Sequence, residues 1–309
     1  MRRDRLAVLI ALVLAGCGGE SAPPAEAPTE VAPEIEQATV APEPTQAAES
    51  TAKPAVNSVT VDPGDGTMMI GTGVSLYRVP PGAEEAEPVT GTFAGPTGEG
   101  EVSGNLVVAY AGAGDLLASG HPASPGALPE NLGLMRSRDQ GDTWEPAGEF
   151  READYHEIEV VGDVLVAVEV ESPDLQVSRD GGASFESRTP PAPPIDVVID
   201  PDDPERWAIS TEQGTFVSSD GGGSWRPRDG TPNARLIWPR SDELYSIDPN
   251  GNVRVSPDGG ESWEERGDVG GLPSAATSGP DDELLVAIVG GEIRRSEDGR
   301  RWRTTATLG

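Results

Sequence analysis

The stretch Val255–Trp263 reads VSPDGGESW, and the chain writes it again with small changes. Val217–Trp225 is VSSDGGGSW and Val177–Phe185 is VSRDGGASF; looser copies are RSRDQGDTW at Arg136–Trp144 and RSEDGRRW at Arg295–Trp302. The serines that open the copies, Ser137, Ser178, Ser218, Ser256 and Ser296, recur with a period of about 40 residues, the mark of a propeller or a solenoid. Between them lie short β-like runs. One unit holds IDVVID (Ile195–Asp200), RWAIS (Arg206–Ser210), TFVSS (Thr215–Ser219) and SWRPR (Ser224–Arg228), and the next repeats the plan as ARLIW, ELYSI, NVRVS and SWEER. Four strands separated by turns make one propeller blade, and a sheet that small needs neighbours on both faces.

The chemistry of the copy follows from its place between the third and fourth strands. Its aspartate (Asp139, Asp180, Asp220, Asp258, Asp298) suits acceptance of hydrogen bonds from turn amides. Its glycine (Gly141, Gly182, Gly222, Gly260) permits a positive φ. The aromatic that ends it (Trp144, Phe185, Trp225, Trp263, Trp302) is expected to pack back into its own blade. Five of the ten Trp and Phe residues occupy this one position, which argues for a shared packing role.

These residues resemble the Asp-box, or BNR repeat, Ser-x-Asp-x-Gly-x-Thr-Trp, of sialidases, sortilin-type receptors and photosystem assembly factors. The last copy is one residue shorter than the pattern. Overall the chain is similar to short bacterial lipoproteins labelled as glycosyl hydrolases. The resemblance implies an all-β propeller over residues 56–309 and leaves function open. Five units carry the box and one more precedes them (SVTVDP, TMMIGTG, VSLYRV, PVTGTF), so six blades are expected rather than seven.

The N-terminus carries a different signal. Arg2, Arg3 and Arg5 precede the apolar run LAVLIALVLAG, which ends in Leu-Ala-Gly-Cys at Cys17. A basic start, a short apolar core and small residues mark an export signal, and the ending resembles the lipobox of prokaryotic lipoproteins. That resemblance implies a signal peptide over residues 1–16, cleavage before Cys17, lipidation of its thiol, and a chain held on the extracytoplasmic side of a membrane. Cys17 is the sole cysteine, so no intrachain disulfide can form. Residues 17–55, rich in Pro, Ala and Glu, cannot bury enough apolar surface to fold and read as a disordered tether. With 53 acidic against 22 basic residues and a net charge of -31, the chain excludes nucleic acid as a partner and avoids anionic lipid. A monomer is expected.

In a propeller the third-to-fourth-strand turn lies on the face opposite the inter-blade connections, so the repeated turns are expected to be structural. A site belongs at the connection face, where the repeat is broken. One break is the Pro- and Gly-rich insertion that begins at His121. The other histidine, His156, opens the next unit's inner strand with Asp154 beside it; Asp196 and Arg235 sit at matching positions one and two units on. Two histidines with nearby carboxylates suit a divalent metal such as zinc, copper or manganese, proton transfer, or a polar ligand; the plainer alternative is that they bond loops and channel water. Tyr155 and Trp238 are expected in the core rather than on a ligand wall.

Three functions fit. The leading one is a membrane-anchored binding or assembly platform for a protein, glycan or metal. A sialidase-like glycoside hydrolase is the second, although the Arg-Ile-Pro motif of that family is missing and only YRVPP (Tyr77–Pro81) echoes it. The third is a metal-handling protein using His121 and His156.

Overall fold

The computed structural model describes residues 53–95, 98–123, 128–148, 153–169 and 172–309. The expected signal peptide, Cys17 and all but the last three tether residues lie outside them. Residues Ser50–Gly309 form one compact unit. Among the described residues every regular element is a strand.

The strands fall into four-stranded groups. The first holds β1 (Val56–Val61), β2 (Met68–Thr72), β3 (Leu76–Val79) and β4 (Glu85–Val89). A hairpin of β5 (Gly91–Gly95) and β6 (Gly98–Val102) follows. The second group is β7 (Gly104–Gly112), β8 (Asp115–Pro122), β9 (Leu134–Ser137) and β10 (Thr143–Gly148). The third is β11 (Tyr155–Val161), β12 (Val164–Glu169), β13 (Leu175–Ser178) and β14 (Glu186–Arg188). The fourth is β15 (Pro194–Asp200), β16 (Asp203–Thr211), β17 (Gly214–Ser218) and β18 (Arg226–Arg228). Then come β19 (Arg235–Arg240), β20 (Glu243–Ile247), β21 (Asn252–Ser256) and β22 (Glu264–Asp268), and last β23 (Pro273–Ser278), β24 (Leu284–Ile288), β25 (Glu292–Ser296) and β26 (Arg303–Leu308). Within each group, successive strands pair antiparallel.

The pattern along each group explains its layering. Second strands such as MMIGT in β2 and LLVAI in β24 are buried at every position, as strands covered on both faces must be. Fourth strands such as ESR in β14, RPR in β18 and EERGD in β22 face solvent at most positions. First strands lie side by side: β1 against β7 and β23, β7 against β11, β11 against β15, β15 against β19, and β19 against β23. The architecture is that of a β-propeller.

The core is divided among the seams between neighbouring groups. Val164, Val166 and Val177 of the third group pack with Ile199, Trp207 and Ile209 of the fourth, and the other seams are built alike. Here the repeated aromatic does pack on its own group, as with Trp225 against Trp207, and it also reaches the one before. Phe185, Trp225, Trp263 and Trp302 each pack on the cluster shared with the preceding group, so they seal seams rather than only their own sheet. Trp144 is 2% exposed and its indole N–H donates to Gly141 O at 2.9 Å.

The first group ends earlier than its sequence suggests. Its fourth strand stops at Val89, and the GTF of PVTGTF enters β5. The β5–β6 hairpin runs parallel along β10 through Thr143↔Thr92 and Trp144↔Phe93, covering an edge that would otherwise be free to pair. Between the first and last groups, β4 and β26 pair in parallel through Thr307↔Glu85 and Leu308↔Ala86, and Val59, Ile70, Ala287 and Ile293 share one cluster. Lys53 Nζ donates to Leu308 O, which ties the two ends of the described chain together.

The repeated turn closes on itself. Ser218 Oγ donates to Asp220 Oδ1 at 2.8 Å and accepts from Gly222 N–H at 2.9 Å. Asp220 Oδ1 accepts Ser224 N–H at 2.8 Å and Oδ2 accepts the Ser224 hydroxyl at 2.7 Å. The same four bonds recur around Asp139, Asp180 and Asp258. The shorter fifth copy keeps the bond between Ser296 and Gly299 but satisfies Asp298 with the amides of Arg300 and Arg301. Gly222 has φ 79° and a Cβ there would lie 2.6 Å from the Trp207 ring, so the turn needs glycine for backbone conformation and for space.

Candidate functional site

Strand alternation places the starts of β1, β7, β11, β15, β19 and β23 on one face, together with the loop after β8. The repeated turns lie on the other: Gln140 of the first turn donates to Asp65, in the β1–β2 turn, at 2.7 Å.

The two histidines meet on the first of these faces. His121 is near the end of β8, opposite Asn105 of β7. Gly120, just before it, has φ 133°, and a Cβ there would fall 1.9 Å from Asn105 O, so β8 presses on β7 where the imidazole emerges. Asp154 directly precedes β11, which is held to β8 by Tyr155 N–H donating to Ser119 Oγ at 3.1 Å. The insertion is pinned at both ends. Ala123 N–H donates to Ser103 O, Leu132 N–H to Gly120 O and Gly133 N–H to Ala153 O, while Leu128 and Leu132 enter the core.

The result is a His–Asp–His arrangement. Asp154 Oδ2 lies 2.8 Å from His121 Nε2 and 3.1 Å from His156 Nε2. The rings stand edge to face, 6.2 Å apart at 87°. His121 Nδ1 donates to Glu130 O at 2.9 Å. Asp154 is 5% exposed, and its Oδ1 has no hydrogen-bond partner among the described residues. Burial works to raise the Asp154 carboxyl, but hydrogen bonds and charge from His156 and then His121 outweigh it and hold it below the usual range. Among the described residues this is where three potential metal-ligand atoms lie within 4.8 Å of one another.

Asp196 and Arg235 do not join that cluster; they form a pair of their own. Asp196 Oδ2 accepts Leu236 N–H at 2.9 Å and sits 3.9 Å from Arg235 Nη1, which itself donates to Ile195 O at 3.1 Å. Arg235 and His156 border the same hollow of ≈ 450 Å³, whose wall includes Asn57, Asn105 and Ser274. Tyr155 is fully buried against Phe185, with ring centroids 5.6 Å apart. Trp238 is buried with the Arg206 guanidinium 5.0 Å above its ring. Both aromatics are core residues, as expected.

Two functional-looking residues escaped the sequence reading. Glu157 and Glu159, at alternate positions of β11, line a channel of ≈ 230 Å³ with Asp196 and Arg235. Burial, then the nearby charge of Asp196, pushes Glu159 up to about 8. The same two causes raise Glu157, against the pull of Arg235, and burial raises Asp196. The signal was present: no other inner strand carries two acids at alternate positions.

No protein-family model and no curated protein matches the sequence. Solved structures do. The chain is similar to an ancestral GH74 enzyme (14% identity over 82% of this chain and 38% of that one, TM-score 0.54). It is similar to the GH74 xyloglucanase from Xanthomonas campestris (20% identity, 82% of this chain and 45% of that one, TM-score 0.51). It also matches the WD40 β-propeller domain of Doa1 (12% identity, 82% and 83%, TM-score 0.52). The chain thus spans less than half of either GH74 enzyme. At these identities the likenesses show the fold, a β-propeller, and leave the chemistry to the side chains at its mouth.

Proposed function

We propose that the chain is a lipid-anchored, extracytoplasmic six-bladed propeller of Asp-box type, a platform whose connection-face mouth binds a protein or glycan partner. The blade count rests on the six four-stranded groups and on the cycle of neighbouring first strands. The Asp-box assignment rests on the bonds around Asp139, Asp180, Asp220 and Asp258 described above. The anchor rests on the sequence ending at Cys17 and gives the propeller its place on the outer side of a membrane.

The observation that carries the binding role is the concentration of polar and charged groups from several strands at one mouth. His156, Arg235, Asn57, Asn105 and Ser274 border one hollow, with Asp154 and His121 gathered on His156 beside it, whereas the aspartates of the opposite face are consumed by their own turns. A rigid ring holds such groups in fixed positions at little entropic cost on binding.

A glycoside hydrolase is the second reading. Glu159, protonated near neutrality, sits beside other carboxylates, as a general acid and a base would, but it lies inside a narrow channel rather than on an open cleft. The test is affinity enrichment from solubilised membranes with the wild type and an Arg235→Glu variant, beside assays on xyloglucan, chromogenic glycosides and sialosides. A partner recovered by the wild type and lost with the variant is expected, with no turnover above a blank. Turnover abolished by Glu159→Gln, with no partner, reverses the order of the two readings. Release of the chain from membranes by Cys17→Ser checks the anchor.

A further inference from the structure

We propose that His121, Asp154 and His156 form a two-histidine, one-carboxylate site for a divalent transition ion, best suited to Zn²⁺, at the propeller mouth. The proposal rests on reading this mouth as the ligand-binding end of the molecule and names what it holds.

Glu130 O can only accept, so the His121 Nδ1 it contacts carries the hydrogen. In a neutral imidazole the second nitrogen then has a lone pair and no hydrogen. Yet His121 Nε2 faces a carboxylate oxygen at 2.8 Å. Two acceptors hold that distance only with positive charge between them or on the ring. His156 Nε2 approaches the same oxygen at 3.1 Å, so three potential ligand atoms lie within 4.8 Å of one another.

The surroundings suit a cation. A 5%-exposed carboxylate whose Oδ1 has no partner among the described residues has its charge met there only through Oδ2, and a buried charge needs a counterion or a full set of donors. The Glu130 carbonyl on the far side of His121 is the outer-shell partner that metal-bound imidazoles carry. Two imidazoles and one carboxylate select zinc and its neighbours over calcium or magnesium, which take oxygen ligands. Three protein ligands leave a coordination position open, where a donor atom of a partner can bind. The insertion after β8, present in this group alone, serves to aim His121.

The test uses the full chain, purified without a histidine tag and stripped with chelator. Calorimetric titration with ZnCl₂ is expected to show one ion per chain, and Co²⁺ to give the visible bands of a protein-bound, low-coordinate ion. His156→Gln changes a largely exposed side chain and leaves folding intact. It should weaken Zn²⁺ by about 100-fold or more, beyond the roughly 10–100-fold typical of losing an outer-shell partner. Asp154→Asn, checked for folding by circular dichroism, should do the same. Zn²⁺ uptake equal in wild type and His156→Gln, or no uptake by either, overturns the proposal and leaves protonated rings as the source of positive charge. Zn²⁺ bound with no partner recovered sinks the platform and keeps the site; a partner captured equally with and without chelator, by a chain that takes up no Zn²⁺, does the reverse.

Discussion

Asp220 and Asp154 are the same residue in two different situations. Asp220 accepts from a serine hydroxyl, a backbone amide and a second hydroxyl, none of which titrates in the ordinary range. Asp154 Oδ2 faces two imidazole nitrogens, and its Oδ1 has no partner among the described residues. The first carboxylate is complete within seven residues of chain, Ser218 to Ser224, and is written into one group after another. The second needs two groups and an insertion to assemble, and occurs once. A carboxylate closed on its own turn builds the fold; one completed only by groups whose charge depends on what is bound is available for function.

Substitutions on the turn face should damage stability and spare the mouth. The largest loss is expected from Trp144→Ala, which empties a seam closed by the β5–β6 hairpin. Removal of a buried tryptophan costs about 3–5 kcal/mol, read as a lowered midpoint in urea. Ser218→Ala comes next. It strands the buried Gly222 N–H and removes one donor from Asp220, a loss of about 1–3 kcal/mol. If either variant alters the histidine resonances at the mouth, the two faces are coupled and the contrast between them fails.

Glu159 sharpens the contrast from inside the channel. Its carboxyl rises from 4.5 to about 8 in the folded chain, so the folded state holds the proton more tightly than the unfolded one. Stability from this group is full below pH 4.5 and drains away as pH climbs toward 8. Glu159→Gln should therefore stabilise the protein at pH 8 and change little at pH 4. The gain is roughly 1–2 kcal/mol once channel water is allowed for, measured by thermal melts across that range. The turn face behaves oppositely. The Ser262 hydroxyl, outweighing slight burial, and the Ser262 amide lower Asp258 from 3.8 to about 2. Its contribution is complete above pH 3.8 and lost as pH falls through 2, and Asp258→Asn should flatten the acid limb of the curve alone.

The turns and the four-strand rhythm were legible because each rests on local chemistry: a serine two residues before an aspartate, glycines at positive φ, a period of about 40 residues. The β5–β6 hairpin was not. GTFAGP and GEGEV are short and glycine-rich, and only Phe93, which meets Trp144 across the pair, fixes them in place. Leu128 and Leu132 read as loop residues because burial of an insertion depends on what it folds over; Leu128 lies against Gly100 of the hairpin. His121, Asp154 and His156 could be shortlisted because the chain has only two histidines. Their convergence could not, since it depends on β8 and β11 lying in adjacent groups. Asp196 and Arg235 occupy the expected positions and yet turn to each other, because a neighbouring amide and a salt bridge satisfy them locally.

The smallest change in metal-free stability belongs to the variant with the most to say. His156 is exposed, with a side chain 45% accessible, and glutamine keeps an N–H donor in place of the ring's for Asp154, so His156→Gln should shift the unfolding free energy by no more than about 0.5 kcal/mol. Zinc separates the two proteins. An ion that binds only the folded state stabilises it by about 2.7 kcal/mol at a free concentration 100 times its dissociation constant. At that concentration wild type should melt at a visibly higher temperature and His156→Gln should not move. Ser218→Ala, weakened at the opposite face, should recover by the same increment as wild type, because its mouth is intact. If zinc lifts His156→Gln as much as wild type, the metal binds elsewhere on this acidic surface, and Asp154 is one more structural carboxylate.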